Sequence, residues 1–126
     1  MRILIDTHIL IWMLEGDKQL SDQRRRIISG PANEIFVSVV SFWEIAIKTS
    51  TGKLTISKTL SDILDEVAAS SSILLLAEPI HTLAVSILPF HHRDPFDRML
   101  VAQAQVGLLD TMTNDVIFAD YGLNLI

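Results

Sequence analysis

The sequence predicts a three-layer α/β domain in which helices flank a mainly parallel sheet of four or five strands. Short apolar runs alternate along the chain with longer segments whose apolar residues recur at helical spacing. Strands separated by helices of this length are joined by crossovers, which make them parallel. The chain has 126 residues, the size of one domain, so we expect residues 1–126 to form a single domain.

The first half of the chain has the pattern of a βαβ unit. Arg2–Ile5 is short and rich in β-branched residues, which predicts a buried strand. The mostly apolar segment His8–Leu14 and the charged segment Gln19–Ser29 are predicted helices. Ile35–Ser38 is the second predicted strand, and Ser41–Thr49 is the helix that follows it.

The second half continues the alternation. Three helices are predicted by apolar residues on one face or by a proline start, at Thr59–Ser71, Ile80–Leu88 and Pro95–Val106. Ile73–Leu76 is a predicted strand between the first two of these helices. Leu109–Thr113 predicts a weaker strand, and Leu123–Leu125 is the optional fifth.

Composition and charge exclude several classes of protein. Apolar residues make up 49% of the chain and the mean hydropathy is +0.39, which excludes intrinsic disorder. The longest apolar run, Ile9–Leu14, is too short to span a bilayer, and the chain has no cysteine, so we expect a cytosolic protein with no membrane partner. The net charge of −5 argues against a broad basic surface for nucleic acid, but it allows a phosphodiester held through a divalent ion.

Acidic residues lie at the junctions between predicted strands and helices. Asp6 directly follows the first strand, and Asp115 follows the Leu109–Thr113 strand. Glu44 and Asp97 each lie one turn into a helix. Because ligands of open parallel sheets bind beyond the carboxyl ends of the strands, we expect these four carboxylates to converge at one edge of the sheet.

Such a cluster needs a counter-charge, because carboxylates within a few ångströms raise one another's pKa. Oxygen ligands suit Mg²⁺ or Mn²⁺, and the absence of cysteine excludes a thiolate site. A divalent ion held by carboxylates activates water and neutralises a phosphodiester during cleavage. The pattern therefore favours a Mg²⁺ or Mn²⁺ site with hydrolytic chemistry.

A structural interpretation of each acid stays open beside this one. Ser41 and Glu44 have the spacing of a capping box, and Asp94 and Asp97 flank a helix start at Pro95. The other two acids are equally well placed to cap the helices that follow them.

Four segments resemble the four motifs of PIN-domain ribonucleases, and most closely those of the VapC-type toxins of bacterial toxin–antitoxin pairs. They follow the order and spacing of that family, at Leu4–Trp12, Ser38–Lys48, His92–Ala104 and Thr113–Gly122. The third segment is the closest match, and together the four extend over the whole chain. The resemblance implies that the three-layer domain is PIN-like.

The resemblance also implies a catalytic site. It assigns the binding of one or two Mg²⁺ or Mn²⁺ ions, and catalysis, to Asp6, Glu44, Asp97 and Asp115. The implied reaction is endonucleolytic cleavage of RNA, with tRNA and ribosomal RNA as substrate classes. Many relatives place a serine where this chain has His8, so Thr7 is the expected hydroxyl near the attacking water.

Further polar residues are expected to bind substrate. Arg93 and Arg98 flank the third acid and are placed for phosphate contact, and Asn114 precedes the fourth acid. For Arg98 the alternative is an i,i+4 salt bridge with Asp94. The basic run at residues 24–26 has two interpretations, an RNA contact and a solvated helix face.

Lys48 lies one helical turn beyond Glu44, a spacing at which the two side chains can pair on a helix.

The apolar content suggests a surface for a partner. Trp12, Met13, Phe42 and Trp43 are the residues that we expect there, with completion of the core as the alternative. The resemblance implies a cognate antitoxin whose C-terminal segment wraps the toxin, a homodimer, and a larger toxin–antitoxin assembly.

Two functions therefore compete. The first is a metal-dependent endoribonuclease toxin, and the second is a catalytically inactive PIN-like protein that binds an antitoxin-like partner. A phosphatase of the haloacid dehalogenase type is disfavoured, because His8 stands where its second aspartate is required. A dinucleotide enzyme is disfavoured because no G-x-G-x-x-G segment is present.

Overall fold

The computed structural model describes residues 1–126 and contains a four-stranded sheet in which all pairings are parallel. Its strands are β1 (Arg2–Ile5), β2 (Glu34–Ser38), β3 (Ile73–Leu75) and β4 (Asp110–Met112). Their spatial order is β3-β2-β1-β4, which places β1 and β2 in the centre. The predicted parallel sheet is confirmed.

Seven helices connect and follow the strands. They are α1 (Thr7–Glu15), α2 (Asp22–Ser29), α3 (Val39–Ser50), α4 (Leu60–Ala69), α5 (Pro79–Ser86), α6 (Pro95–Gly107) and α7 (Ile117–Asp120). The last of these was not predicted, because four residues are too few to show a helical periodicity. No helix is both long and apolar enough to span a membrane.

Two apolar clusters pack on opposite faces of the sheet and make the domain three-layered. Ile3 and Ile5 of β1 contribute to one cluster, with residues of α1, α3 and α4. Leu4 contributes to the other cluster, with residues of α6 and α7. This alternation is the period-two pattern of a strand that is buried on both faces.

The boundaries of two helices differ from the prediction because serines cap them. Ser38 accepts the backbone N–H of Val40 at 3.0 Å, so α3 begins at Val39 rather than at Ser41. Ser21 caps α2 in the same way, so α2 begins at Asp22 rather than at residue 19.

The optional fifth strand at Leu123–Leu125 is reduced to one parallel bridge between Thr111 and Leu125. The sheet therefore has the lower of the two predicted strand numbers.

Candidate functional site

A cavity of about 360 Å³ lies where β1 and β4 end. Its walls are formed by Asp6, His8, Trp12, Asp97, Asn114 and Asp115. The backbone N–H of Asp6 donates to the carbonyl oxygen of Met112 at 3.1 Å, which holds the end of β1 against the end of β4. Parallel pairing thus brings three of the four predicted acids, from three separate segments, to one cavity.

Asp6 is the most deeply placed carboxylate of this cavity. It caps α1, because its Oδ1 accepts the backbone N–H of Ile9 at 2.8 Å, and its Oδ2 accepts the hydroxyl hydrogen of Thr113. Burial raises the pKa of Asp6, although the hydrogen bonds from Thr113 and Ile9 oppose the rise. The capping interpretation is confirmed, and the same carboxylate lines the cavity.

Glu44 lies in α3 beside this group and is only 3% exposed. Its Oε2 pairs with the ammonium of Lys48, and its Oε1 is buried with no hydrogen-bond partner. Its negative charge contributes to raising the pKa of both Asp6 and Asp97. The capping-box alternative is wrong, because Ser41 lies inside the helix and Ser38 is its cap.

Lys48 pairs with Glu44 and is also affected by the charges of two further carboxylates. Burial acts to lower the pKa of Lys48, but the hydrogen bond and charge of Glu44, with the charges of Asp94 and Asp97, outweigh it and raise the pKa. Its Nζ lies 5.8 Å from the ring centre of Phe96. The ammonium therefore lies between α3 and the start of α6.

Asp97 lies in the first turn of α6. Its backbone N–H donates to Oδ1 of Asp94 at 2.9 Å, so the predicted helix start is confirmed. Burial, followed by the charges of Asp94 and Glu44, raises the pKa of Asp97 to about 6. A carboxylate with this environment gains from a nearby cation.

A histidine and a tyrosine support Asp97. Nε2 of His92 lies 3.3 Å from Oδ2 of Asp97, and Nδ1 of the same ring lies 2.8 Å from the hydroxyl of Tyr121. Tyr121 is buried, and its hydroxyl also accepts a hydrogen bond from Arg98 at 3.3 Å. This chain of contacts orients the Asp97 carboxylate.

Asp115 is the exposed acid of the cavity. Its backbone N–H donates to Oγ1 of Thr113 at 2.9 Å, and its Oδ1 accepts the backbone N–H of Ile117 at 3.0 Å. The carboxylate thus orders the turn before α7 while facing the cavity.

No three histidine, aspartate or glutamate side chains lie in a ready-made metal-binding arrangement. The hydrogen bonds of this site orient several carboxylate oxygens toward protein donors. Asp6 bonds to Thr113 and Ile9, Glu44 pairs with Lys48, and the remaining acids are held by His92 and Ile117.

The structure places the predicted substrate-binding residues in different environments. Thr7 is buried and donates its hydroxyl hydrogen to Oγ of Ser41 at 2.9 Å, so that hydroxyl is committed to the helix α3. Asn114 lines the cavity, and its Oδ1 accepts a hydrogen bond from Arg24. Arg93 is exposed and has its guanidinium 5.4 Å from the ring centre of Phe90.

The environment of Arg98 differs from both expected environments. It is buried, and its guanidinium donates to the carbonyl oxygens of Pro89 at 2.8 Å and Leu88 at 3.1 Å. It also stacks on Phe90, 4.0 Å from the ring centre. These contacts replace both the expected phosphate contact and the expected salt bridge with Asp94, because α6 directs the side chain into the protein.

The basic run on α2 is largely structural. Arg24 donates to the carbonyl oxygens of Thr113 and Ile126 at 2.9 and 2.8 Å, and Arg25 is half-buried. Only Arg26 is exposed. Neither a broad RNA surface nor a fully solvated helix face describes this segment.

The exposed apolar surface lies mainly outside the four predicted residues. Phe42 is buried and Trp12 and Met13 pack against the core, so only Trp43 is an exposed member of that group. Six exposed apolar residues belong to β3, α5 and the segments that follow them: Leu74, Leu76, Ile80, Leu83, Ile87 and Phe90. The helical periodicity of α5 predicts one buried face, but Ile80, Leu83 and Ile87 on that face are exposed in the structure.

Sequence reasoning also missed the residues that hold the acids. Thr113, His92 and Tyr121 belong to the third and fourth motif segments, but nothing in their spacing indicates that Thr113 bonds to Asp6 or that His92 contacts both Asp97 and Tyr121. Their position within a motif was the one feature of the sequence that indicated a role for these residues.

Comparison with known sequences gives one family. The sequence profile of the PIN domain family matches residues 3–123 of the chain. Among curated proteins, no sequence matches this chain significantly.

Three solved structures illustrate the similarity in fold. VapBC2 from Rickettsia felis, bound to a DNA fragment from its promoter, has a TM-score of 0.74 at 15% identity, over 100% of this chain and 98% of that one. VapBC-1 from nontypeable Haemophilus influenzae has a TM-score of 0.69 at 16% identity, over 100% and 97%. A toxin-antitoxin complex from Klebsiella pneumoniae has a TM-score of 0.60 at 18% identity, over 90% and 87%. At these identities the likeness establishes the fold.

Proposed function

The chain belongs to the PIN domain family, and from this premise we propose that it is a Mg²⁺- or Mn²⁺-dependent endoribonuclease that acts as the toxin of a toxin–antitoxin pair. The observation that carries the proposal is the convergence of Asp6, Asp97 and Asp115 on one cavity, with buried Glu44 beside them. Structural caps alone do not require acids from four segments to share one electrostatic environment.

The residues of the cavity fit a divalent ion in three respects. All the acidic donors are oxygen atoms, which Mg²⁺ and Mn²⁺ prefer. Burial raises the pKa values of Asp6 and Asp97, and a bound cation would offset the cost of ionising these buried carboxyl groups. Oε1 of Glu44 is buried with no hydrogen-bond partner, which a bound ion or its hydration water would satisfy.

The four acids Asp6, Glu44, Asp97 and Asp115 are the proposed ligands. When bound, a divalent ion lowers the pKa of water and neutralises negative charge on the phosphate. The protein contributes orientation: Thr113 and Ile9 hold the Asp6 carboxylate, and the Asp97 carboxylate is held by a histidine.

The cavity also fits a nucleic-acid substrate. Trp12 and His8 form its aromatic wall, with ring centres 6.2 Å apart, and offer an apolar surface to a base or sugar. Asn114 adds a polar side chain on the wall, and we retain exposed Arg93 as the residue that contacts phosphate. We propose RNA as the substrate, with tRNA and ribosomal RNA as the classes to test.

Partners are proposed from the similar complexes and the exposed surface. One of the similar structures is a toxin-antitoxin complex, which supports a cognate antitoxin for this chain. The apolar surface around β3 and α5 supports a homodimer and a larger toxin–antitoxin assembly, because Leu83 and Ile87 are 68% and 85% exposed.

One observation favours the alternative of an inactive PIN-like protein that binds an antitoxin-like partner. The acidic side chains do not already form a metal-binding arrangement. On this alternative, the carboxylates serve only as helix caps and hydrogen-bond acceptors.

Cleavage assays separate the two functions. The purified chain, freed of antitoxin, is incubated with a panel of structured RNAs with and without Mg²⁺. Wild type is expected to cleave only with Mg²⁺, and Asp6→Asn and Asp97→Asn are expected to lose cleavage while remaining folded by circular dichroism. No cleavage of any RNA by wild type would favour the inactive alternative. Equal cleavage by the wild type and both variants would contradict the role proposed for Asp6 and Asp97.

A further inference from the structure

The ion pair between Glu44 and Lys48 differs from an ordinary surface pair on a helix. Only 4% of the Glu44 side chain and 30% of the Lys48 side chain are exposed. A buried carboxylate is costly unless a cation and hydrogen bonds compensate it. The buried negative charge of Glu44 therefore accounts for the partial burial of the Lys48 side chain.

The surroundings of the ammonium are those of a cation site. Asp94 and Asp97, on the neighbouring helix α6, act electrostatically on Lys48 together with Glu44. The ring of Phe96 lies 5.8 Å from Nζ, a distance that favours a cation. Lys48 also lies in the last turn of α3, where a positive charge is stabilised by the helix dipole.

The Glu44–Lys48 pair lies outside the lining of the cavity. Asp6, Asp97 and Asp115 are among the six residues that line it, whereas neither Glu44 nor Lys48 does. The four proposed ligands therefore divide into three carboxylates that face the cavity and one that already has a cation of its own.

We propose that the ammonium of Lys48 takes the place of a second metal ion, so that the site binds one divalent ion per chain. This inference rests on the proposed metal-dependent function. One oxygen of Glu44 is occupied by Lys48, and the other, Oε1, remains for the ion or its hydration water. Three carboxylates then face one ion of charge +2, and the Glu44–Lys48 pair adds no net charge.

The number of ions bound tests this proposal. Metal-stripped protein is titrated with Mn²⁺, and free Mn²⁺ is measured by electron paramagnetic resonance, which counts bound ions without reference to cleavage. Wild type and the charge-conserving variant Lys48→Arg are expected to bind one Mn²⁺ per chain. Lys48→Met, which keeps the length of the side chain but removes the charge, is expected to bind two.

The outcomes distinguish this proposal from the proposed function. Two ions bound by wild type, or one ion bound by folded Lys48→Met protein, would overturn the role of Lys48 and leave the metal-dependent function standing. No Mn²⁺ bound by wild type would overturn both.

A second measurement serves if Lys48→Met folds poorly. Its melting temperature is expected to rise with Mn²⁺ concentration more steeply than that of wild type, because a second ion then binds the folded state. An equal rise in the two proteins would contradict the proposal.

Discussion

Thr113 donates its hydroxyl hydrogen to Asp6 and thereby joins the end of β4 to the end of β1. The oxygen of the same hydroxyl accepts the backbone N–H of Asp115 at 2.9 Å. One threonine therefore positions two of the four acids of the site, although it is not itself charged.

Replacing Thr113 with valine removes this connection at almost constant volume. We expect the free energy of unfolding to fall by about 2 kcal/mol, since a buried hydrogen bond to a carboxylate is lost. Mn²⁺ affinity should fall about tenfold, as for other residues that orient metal ligands. Chemical denaturation and Mn²⁺ titration measure the two effects.

Thr111→Val is the matched control for that substitution. Thr111 is a buried threonine of β4 whose hydroxyl has no hydrogen-bond partner. The control should be neutral or stabilising and should bind Mn²⁺ as wild type does. Equal losses in the two variants would show that Thr113 acts only through packing.

The raised pKa of Asp97 predicts a pH dependence of stability. The folded protein binds this proton with a pKa of about 6, compared with an ordinary value of 3.8. Between these values the folded state holds more protons than the unfolded state, so stability without metal falls as pH rises from about 4 to about 6. The lost stability is not regained at higher pH.

Asp97→Asn should make this decline smaller and should stabilise the metal-free protein at pH 7. Thermal melts in a chelating buffer between pH 4 and 8 measure both effects. The exposed Asp65 of α4 supplies the control, because Asp65→Asn changes the same chemical group away from the site. A decline that is unchanged in Asp97→Asn would assign the pH dependence to other groups.

Substitution of the two arginines near Asp97 should affect different properties: stability for Arg98 and RNA binding for Arg93. Arg98→Lys keeps the charge but loses the forked contacts to Leu88 and Pro89, so we expect a loss of about 3 kcal/mol in unfolding free energy. Arg93→Ala should change stability by less than about 0.5 kcal/mol and weaken RNA binding. Urea unfolding and filter binding separate the effects. Weakened RNA binding by a fully stable Arg98→Lys protein would instead indicate that Arg98 contacts the substrate.

The apolar surface around α5 predicts self-association. Leu83→Glu combined with Ile87→Glu should convert a dimer into a monomer without loss of helix content, because both side chains are exposed in the single chain. Light scattering coupled to size-exclusion chromatography measures the mass. Leu108→Glu changes an equally exposed leucine, 86% exposed, beyond the end of α6, and should leave the dimer intact. A wild-type monomer at high concentration would contradict the prediction.

Periodicity and turn residues predicted the fold well, because burial on both faces of β1 and β2 leaves apolar runs such as Ile3–Ile5. Helix starts were less predictable where two serines compete. Ser38 and Ser41 are both acceptable caps from the sequence, and the structure uses Ser38, the last residue of β2.

The convergence of the acids was predictable because parallel strands end at one edge of a sheet. The partners of each acid were not, since they depend on side-chain direction. Arg98 and Arg93 have the same chemistry and lie five residues apart, yet one faces the interior of the protein and the other faces solvent.

The central claim is that carboxylates from separate segments bind one divalent ion. A crystal grown with Mn²⁺ and measured at the manganese absorption edge tests it most directly. We predict one anomalous peak in the cavity, about 2.2 Å from oxygens of Asp6 and Asp97 and within direct or water-mediated reach of Asp115. Density for the protein with no manganese peak among these carboxylates, at saturating Mn²⁺, would contradict the account.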